Sequence, residues 1–331
     1  MRYDVEFDSG AFYPAAGTVE LAQLAEDHGF EAVWKGESNS TDPIVLLSAM
    51  AARTRTIKLG TAIYHIYGRS PVTLGIQAAT LNDLSDGRVL LGLGVANKTI
   101  AAWHGGTFDR PIRRIREYAE VVRQTAAGER VDYEGEIHQV SGFKLSWKPN
   151  HPDVPIYFAG LGEQTTRLAG RMADGIIINM ANPPMIREII GRVRDGAIEA
   201  GRDPASIDYV FKVRVCVNPD REKAQAKLRQ VLTFYNLADH YSDLIAQMGF
   251  GAESQHVRDE YARGGFRAAQ AAVSDTLVEN LPTIAATSGE EVRERLQPYL
   301  EAGATRVIIP YVPTSEDAVG ESRAFLEGWR L

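Results

Sequence analysis

Residues 57–73, IKLGTAIYHIYGRSPVT, begin as a buried strand and end in a crowd of ionisable and aromatic groups. Ile57, Leu59 and Ile63 have the apolar spacing of a strand, whereas Tyr64, His65, Tyr67 and Arg69 fill the turn before Ser70-Pro71 opens a helix. A connection that only had to close would use Gly, Asn or Asp, so this turn reads as a wall of a site. Other apolar runs end in the same way. Glu6, then Glu37 and Ser38, then residues 94–98, residues 159–164, Asn179, residues 216–218 and Tyr311 each follow such a run.

Two of these ends share one logic. LGLGVANKT (residues 91–99) and AGLGEQTTRLAG (residues 159–170) run from a strand through Gly-x-Gly into polar residues and a helix. Glycine lets a bound group approach the backbone, and the free N–H groups of a helix start attract an anion. Glu163, Gln164 and Thr165 fit the first helical turn. A tight strand-to-helix turn would by itself select the same glycines, so a phosphate role and a purely structural one both stay open.

What must position these ends is an alternation of strand and helix along the whole chain. The strand candidates are DVEF, AVWKGE, IKLGTAI, VLLGLGV, VPIYFAGL, DGIIINM, DYVFKVRVCV and TRVIIPYV. Between them lie helical stripes such as Val19, Leu21, Leu24 and Ala25, with Gly29 as the stop. Eight such units predict an α/β fold, a single (β/α)8 TIM barrel spanning residues 1–331, in which the C-terminal strand ends converge on one site. A doubly wound sheet is the runner-up, but no linker or change of composition divides the chain. Two stretches exceed a minimal barrel. Residues 130–154 read as a hairpin extension after strand four, with a second arm in FKLSW. Residues 232–275 read as a helical insertion after strand seven, lying over the barrel mouth as a lid.

The 331 residues are 44% hydrophobic, and 36 Lys and Arg against 43 Asp and Glu leave a net charge of -7. This balance speaks against nucleic acid or an anionic membrane as the main partner and leaves a small-molecule substrate. Cys216 is the single cysteine. It excludes an internal disulfide and a cysteine-rich metal site, suits a reducing cytoplasm, and reads as a buried strand thiol; no metal is expected. The start MRYDVEFDSG lacks the apolar core of a signal peptide, and no apolar run is long enough to span a bilayer.

The order of these pieces resembles the bacterial luciferase-like superfamily of flavin and deazaflavin barrels, and within it the coenzyme F420-dependent branch typified by methylenetetrahydromethanopterin reductase. The resemblance is carried by VEF, LAEDHGFEAVWKGE, IKLGTAIYHIYGRSP with AATLNDLSDGRVLLGLG, YFAGLGEQTTRLAGRMADGIIINMANP and TSGEEVRERLQPYLEAGATRVII. It covers most of the chain outside residues 232–275. It implies a non-prolyl cis peptide at Ala62-Ile63, in a bulge that includes Tyr64 and backs the ring of the cofactor. It further implies that Gly94, Val95, Ala96, Asn97 and Lys98, together with Ala159, Gly160, Leu161, Gly162, Glu163 and Gln164, hold the cofactor's chain and phosphate. Asn179 completes the cofactor set, and a homodimer is the implied assembly.

The resemblance also assigns candidate acids. Glu6 matches an acid beside the hydride-transfer position and is expected as proton donor or substrate orienter, with Glu37 as cofactor contact or second acid. Members that oxidise alcohols, and many that use oxygen, carry His after the acid of strand two; here the pair is Glu37-Ser38. His65 is the candidate substitute, with a structural hydrogen-bonding role as its alternative. The expected activity is an F420-dependent oxidoreductase that moves a hydride to or from a C=N or C=C bond, with a methylene-pterin or folate as one substrate option. Two readings remain beside it. One is an FMN-dependent monooxygenase served by a separate flavin reductase; the other is a non-catalytic barrel that binds a flavin-like ligand.

Overall fold

A computed structural model describes residues 2–7 and 12–329. Eight parallel strands close on themselves: β1 (Arg2–Glu6), β2 (Ala32–Lys35), β3 (Lys58–Thr61), β4 (Val89–Gly94), β5 (Ile156–Ala159), β6 (Gly175–Asn179), β7 (Asp208–Lys212) and β8 (Arg306–Pro310). Each strand pairs with its sequence neighbours, β1 pairs with β8, and the β3–β4 pairing closes the ring. The predicted barrel is therefore the observed fold, with helices around it.

Alternate residues of each strand point inward. Ala32, Trp34, Leu90, Tyr157, Ile177, Val210 and Ile308 fill the interior, while Val5, Val33, Leu59, Leu91, Phe158 and Phe211 pack outward against the helices. A Cβ at Gly60 would stand 2.2 Å from the Trp34 ring, so glycine here makes room for the indole. Near the N-terminal end of the barrel, Trp34 Nε1 donates to Asp4 Oδ2 at 2.7 Å, and Arg306 Nη1 lies 2.7 Å from Asp4 Oδ1. Burial raises the Asp4 carboxyl to about 6 against the pull of Arg306.

Several helices begin where the sequence supplies both a cap and a proline. Asp42 accepts from Val45 N ahead of Pro43–Ala51, and Ser70 accepts from Thr73 N ahead of Pro71–Leu84. The predicted hairpin forms from Val131–Glu134 and Gln139–Phe143. Its second arm thus precedes most of FKLSW, because the turn is set at residues 136–138, whose N–H groups all donate to the Glu117 carboxylate.

The predicted insertion is helical and begins earlier than residue 232. Helices Arg221–Leu237, Asp239–Ile245, Gly251–Ala272 and Asp275–Asn280 form it, with a kink at Gly265. It has a core of its own around Leu228, Leu232, Ile245, Val257 and Leu277, joined by Cys216. Its base is a short parallel pair, Arg214–Val217 with Thr283–Ala286. The chain that leaves β7 changes partner at Val213, so the apolar run DYVFKVRVCV spans two sheets. The barrel strand ends at Lys212, not at residues 216–218 as the uninterrupted run suggested. Among the described residues, no helix is long and apolar enough to cross a membrane.

Candidate active site

The strand ends enclose a cavity of about 420 Å³. Its floor is made of small groups: Gly36 after β2, Ala62 and Ile63 after β3, Gly94 at the end of β4, and Ala159 and Gly160 at the end of β5. The Ala62–Ile63 peptide is cis, as the family resemblance implies. Ile63 takes its place in this floor because residue 94 is glycine; a Cβ there would lie 2.7 Å from Ile63 Cδ1. Val95, Ala96, Asn97 and Leu161 form the rim, and Ala96 holds a left-handed φ of 47°. Asn97 caps the following helix by accepting from Ile100 N at 3.0 Å. Glu37 and Asn179 also face the cavity.

The remaining cofactor candidates lie outside this lining. Tyr64 is fully buried, with Arg69 4.2 Å over its ring. Lys98, Gly162, Glu163 and Gln164 are exposed on the surface beyond the rim. The helix Glu163–Met172 starts at Gly162 without a side-chain cap, leaving its first N–H groups free.

Glu37 is held from three sides. Arg69 Nη1 is 2.9 Å from Oε1, His65 N donates to Oε2 at 3.1 Å, and His65 Nε2 lies 3.2 Å from Oε2 without hydrogen-bond alignment. Burial pushes the Glu37 carboxyl up, and Arg69 works against that shift. His65 has no exposed surface. Its Nδ1 accepts from Tyr67 N at 3.3 Å, and burial beside His104 and Arg69 lowers the imidazole to about 4. The ring is therefore neutral at physiological pH and packs behind the cavity wall.

Glu6, 7% exposed, belongs to a second cavity of about 640 Å³ next to the first. The two cavities share Lys212 and Tyr241. Lys212 Nζ lies 2.7 Å from Glu6 Oε2 and 3.0 Å from Oε1, and donates to Ala62 O at 2.7 Å. Apolar and aromatic groups wall the second cavity, among them Phe12, Val231, Tyr235 and Tyr311. Arg214 Nη1 donates to Asn179 Oδ1, and Asn179 Nδ2 donates to Tyr241 OH, both at 2.8 Å. Burial pushes the Tyr241 phenol up to about 12, so it remains a neutral hydroxyl.

Lys212, Arg214 and Tyr241 are site residues that the strand-end reading missed. Lys212 and Arg214 stand two apart in an otherwise apolar run, which is the period of one strand face and was the available signal. Tyr241 comes from the insertion, where residue pattern says nothing of what the helix covers. Cys216 and its neighbours lie away from both cavities; burial lifts the Cys216 thiol to about 12, leaving it protonated.

The floor fits a planar ring. Three glycines and the Ala62–Ile63 bulge expose backbone rather than side chains, and the walls offer few charges. A deazaflavin or a flavin would satisfy that shape.

Residues 5–306 match the family model described as luciferase-like monooxygenase. The chain is 30% identical over 316 residues to a 5,10-methylenetetrahydromethanopterin reductase of Archaeoglobus fulgidus, covering 93% of this chain and 92% of that one. It is 28% identical over 310 residues to an F420-dependent glucose-6-phosphate dehydrogenase of Nocardia farcinica, covering 88% and 86%. In three dimensions it superposes on the coenzyme F420-dependent tetrahydromethanopterin reductase of Methanopyrus kandleri with a TM-score of 0.86 at 24% identity, covering 100% of this chain and 98% of that one.

Proposed function

The chain belongs to the luciferase-like monooxygenase family, and on that premise we propose that it is a coenzyme F420-dependent oxidoreductase acting on a C=N or C=C bond. The observation that carries this reading is the junction of the two cavities. A glycine-floored slot and an aromatic-walled chamber meet at Lys212, where a ring and an acceptor bond can face each other. When bound, F420 supplies two-electron hydride chemistry; the protein supplies orientation and a dry pocket.

Ala62, Ile63, Gly94 and Gly160 hold the plane of the ring. Val95, Ala96, Asn97 and Leu161 receive the chain that leaves it, with Lys98 and residues 162–164 further out toward the phosphate. Glu37 is a fixed contact at the edge, locked by Arg69. Proton movement belongs to the buried pair. Lys212 Nζ carries the proton that the substrate takes, and Glu6, 2.7 Å away, holds that group in place at the junction of the cavities. Glu6 thus orients through Lys212. His65, neutral and walled off, serves as a support for the Tyr67 turn.

The test is a titration of the cofactor-free protein with F420 and, separately, with FMN, followed by the fluorescence of each. Micromolar F420 binding with FMN at least tenfold weaker supports the proposal. FMN binding with no response to F420 overturns it and favours the oxygen-using reading that the family's name describes. A homodimer in the cytoplasm is part of the same proposal, supported by the family likeness and tested by light scattering of the purified protein.

A further inference from the structure

Among the described residues, the second cavity carries more positive charge than its one carboxylate balances. Its charged side chains among the described residues are Glu6, Lys212 and Arg214. Glu6 and Lys212 neutralise each other at 2.7 Å, which leaves the Arg214 guanidinium. Among the described residues Arg214 has no carboxylate partner: it donates one hydrogen bond, to Asn179 Oδ1, and rests 4.5 Å over the Tyr235 ring. A guanidinium has five N–H donors; one is engaged by Asn179, and the others are open to solvent or to a ligand in a half-buried position.

The surroundings hold this group still. Tyr235 packs edge-on against Tyr241 with ring centroids 4.6 Å apart, and Tyr241 OH in turn accepts from Asn179 Nδ2. Arg214 is therefore braced by a neutral amide and a stacked ring rather than by an acid. Pre-set arginines of this kind recognise planar oxyanions through paired N–H groups. A residual charge of one matches a monoanion; a phosphate dianion would call for the second cation, and Lys212 is already committed to Glu6.

We infer that Arg214 is the anchor for a carboxylate on the substrate, and that the substrate is a small planar, conjugated acid. Two residues along an extended chain advance about 6.6 Å. A carboxylate at Arg214 accordingly sets a conjugated C=C or C=N bond near Lys212, at the boundary with the cofactor slot, while Tyr235 and Tyr311 cover its faces. The placement of the acceptor bond rests on the hydride-transfer proposal above; the anchor itself rests on the cavity alone.

The probes are benzoate, cinnamate and 2-naphthoate, each paired with its neutral amide, titrated at pH 7.5 by calorimetry and saturation-transfer NMR. Wild-type protein, with and without oxidised F420, should bind at least one acid tenfold or more tighter than its amide. Arg214→Gln should abolish that preference in the cofactor-free protein. Should the Gln variant fail to fold, Arg214→Lys takes its place and should cut the preference at least threefold, since it retains the charge and gives up the planar fork. Absence of acid–amide discrimination across all three pairs in the wild type, or a preference undiminished in the variants, overturns the anchor. Failure of F420 to bind defeats the hydride-transfer reading instead, because the discrimination is still measured in the cofactor-free protein.

Discussion

Lys212 donates a 2.7 Å hydrogen bond to the carbonyl oxygen of Ala62, tying the end of β7 to the cis peptide beyond β3 on the opposite side of the barrel. The same ammonium pairs with Glu6 after β1. One side chain thus spans the mouth of the barrel and links the floor of the cofactor slot to the buried acid of the neighbouring chamber. Movement of either would be felt by the other.

Glu6→Gln keeps the shape and removes the charge that holds the Lys212 ammonium. With an enone or imine acceptor found by screening, single-turnover oxidation of reduced F420 should slow by about 100-fold, the scale of a lost proton-transfer group. The F420 dissociation constant should change less than threefold. A rate within fivefold of wild type would remove the Glu6–Lys212 pair from the mechanism.

Arg69→Gln strands the Glu37 carboxylate, which is 8% exposed and has Arg69 as its cation. Removing one member of such a pair should lower unfolding stability by about 3 kcal/mol. Urea denaturation measures it, and the double variant Arg69→Gln with Glu37→Gln should recover part of the loss. Equal stability of wild type and single variant would mean that Glu37 is held by its backbone donor alone.

Gly94→Ala places a methyl group 2.7 Å from Ile63 Cδ1. Ile63 has to shift into the slot, so F420 binding should weaken about tenfold, or about 1.4 kcal/mol. Thermal stability should barely change, because the displaced atoms are the free end of a side chain. A fluorescence titration of the variant decides; unchanged affinity would place the ring away from this floor.

His65 gives a pH dependence of known sign. Folding lowers its imidazole from 6.5 to about 4, so between these values the unfolded chain binds the proton and the folded chain does not. The stability from burying the neutral ring is complete above pH 6.5 and is lost as pH falls toward 4, by up to about 1.4 kcal/mol per pH unit. In denaturation curves collected across that window, His65→Gln should show the shallower decline. Parallel declines for the two proteins would show that another group carries the acid sensitivity.

Much of the barrel was readable because each strand is a short apolar run ending in glycine or a polar cluster, and those ends are where the site lies. The Ala62–Ile63 cis peptide, implied by the family resemblance, and the glycines at 94 and 160, read from the strand-end pattern, appear in place. What escaped was decided by pairing at a distance. Nothing in DYVFKVRVCV marks Val213 as the point where the strand changes sheet, so Lys212 was hidden inside a run that seemed to end at Cys216. Arg69 reads as a turn residue until Glu37 is brought beside it, and Tyr241 reads as one aromatic among several in a helical insertion. The hairpin's second arm was misplaced because its turn is set by Glu117, on the preceding helix.

The change of partner at Val213 makes a natural seam. Upstream, β7 is bonded into the barrel; downstream, residues 214–217 pair with residues 283–286 and enclose helices that have their own core. Arg214, Val231 and Tyr235 belong to the downstream piece, while the floor at Ala62, Gly94 and Gly160 belongs to the ring of strands. The part of the molecule that would choose a substrate is thus almost a cartridge, seated on the part that would hold the redox ring through a two-stranded hinge plate. Exchanging residues 214–286 between relatives should transplant substrate choice while the grip on the cofactor stays with the recipient.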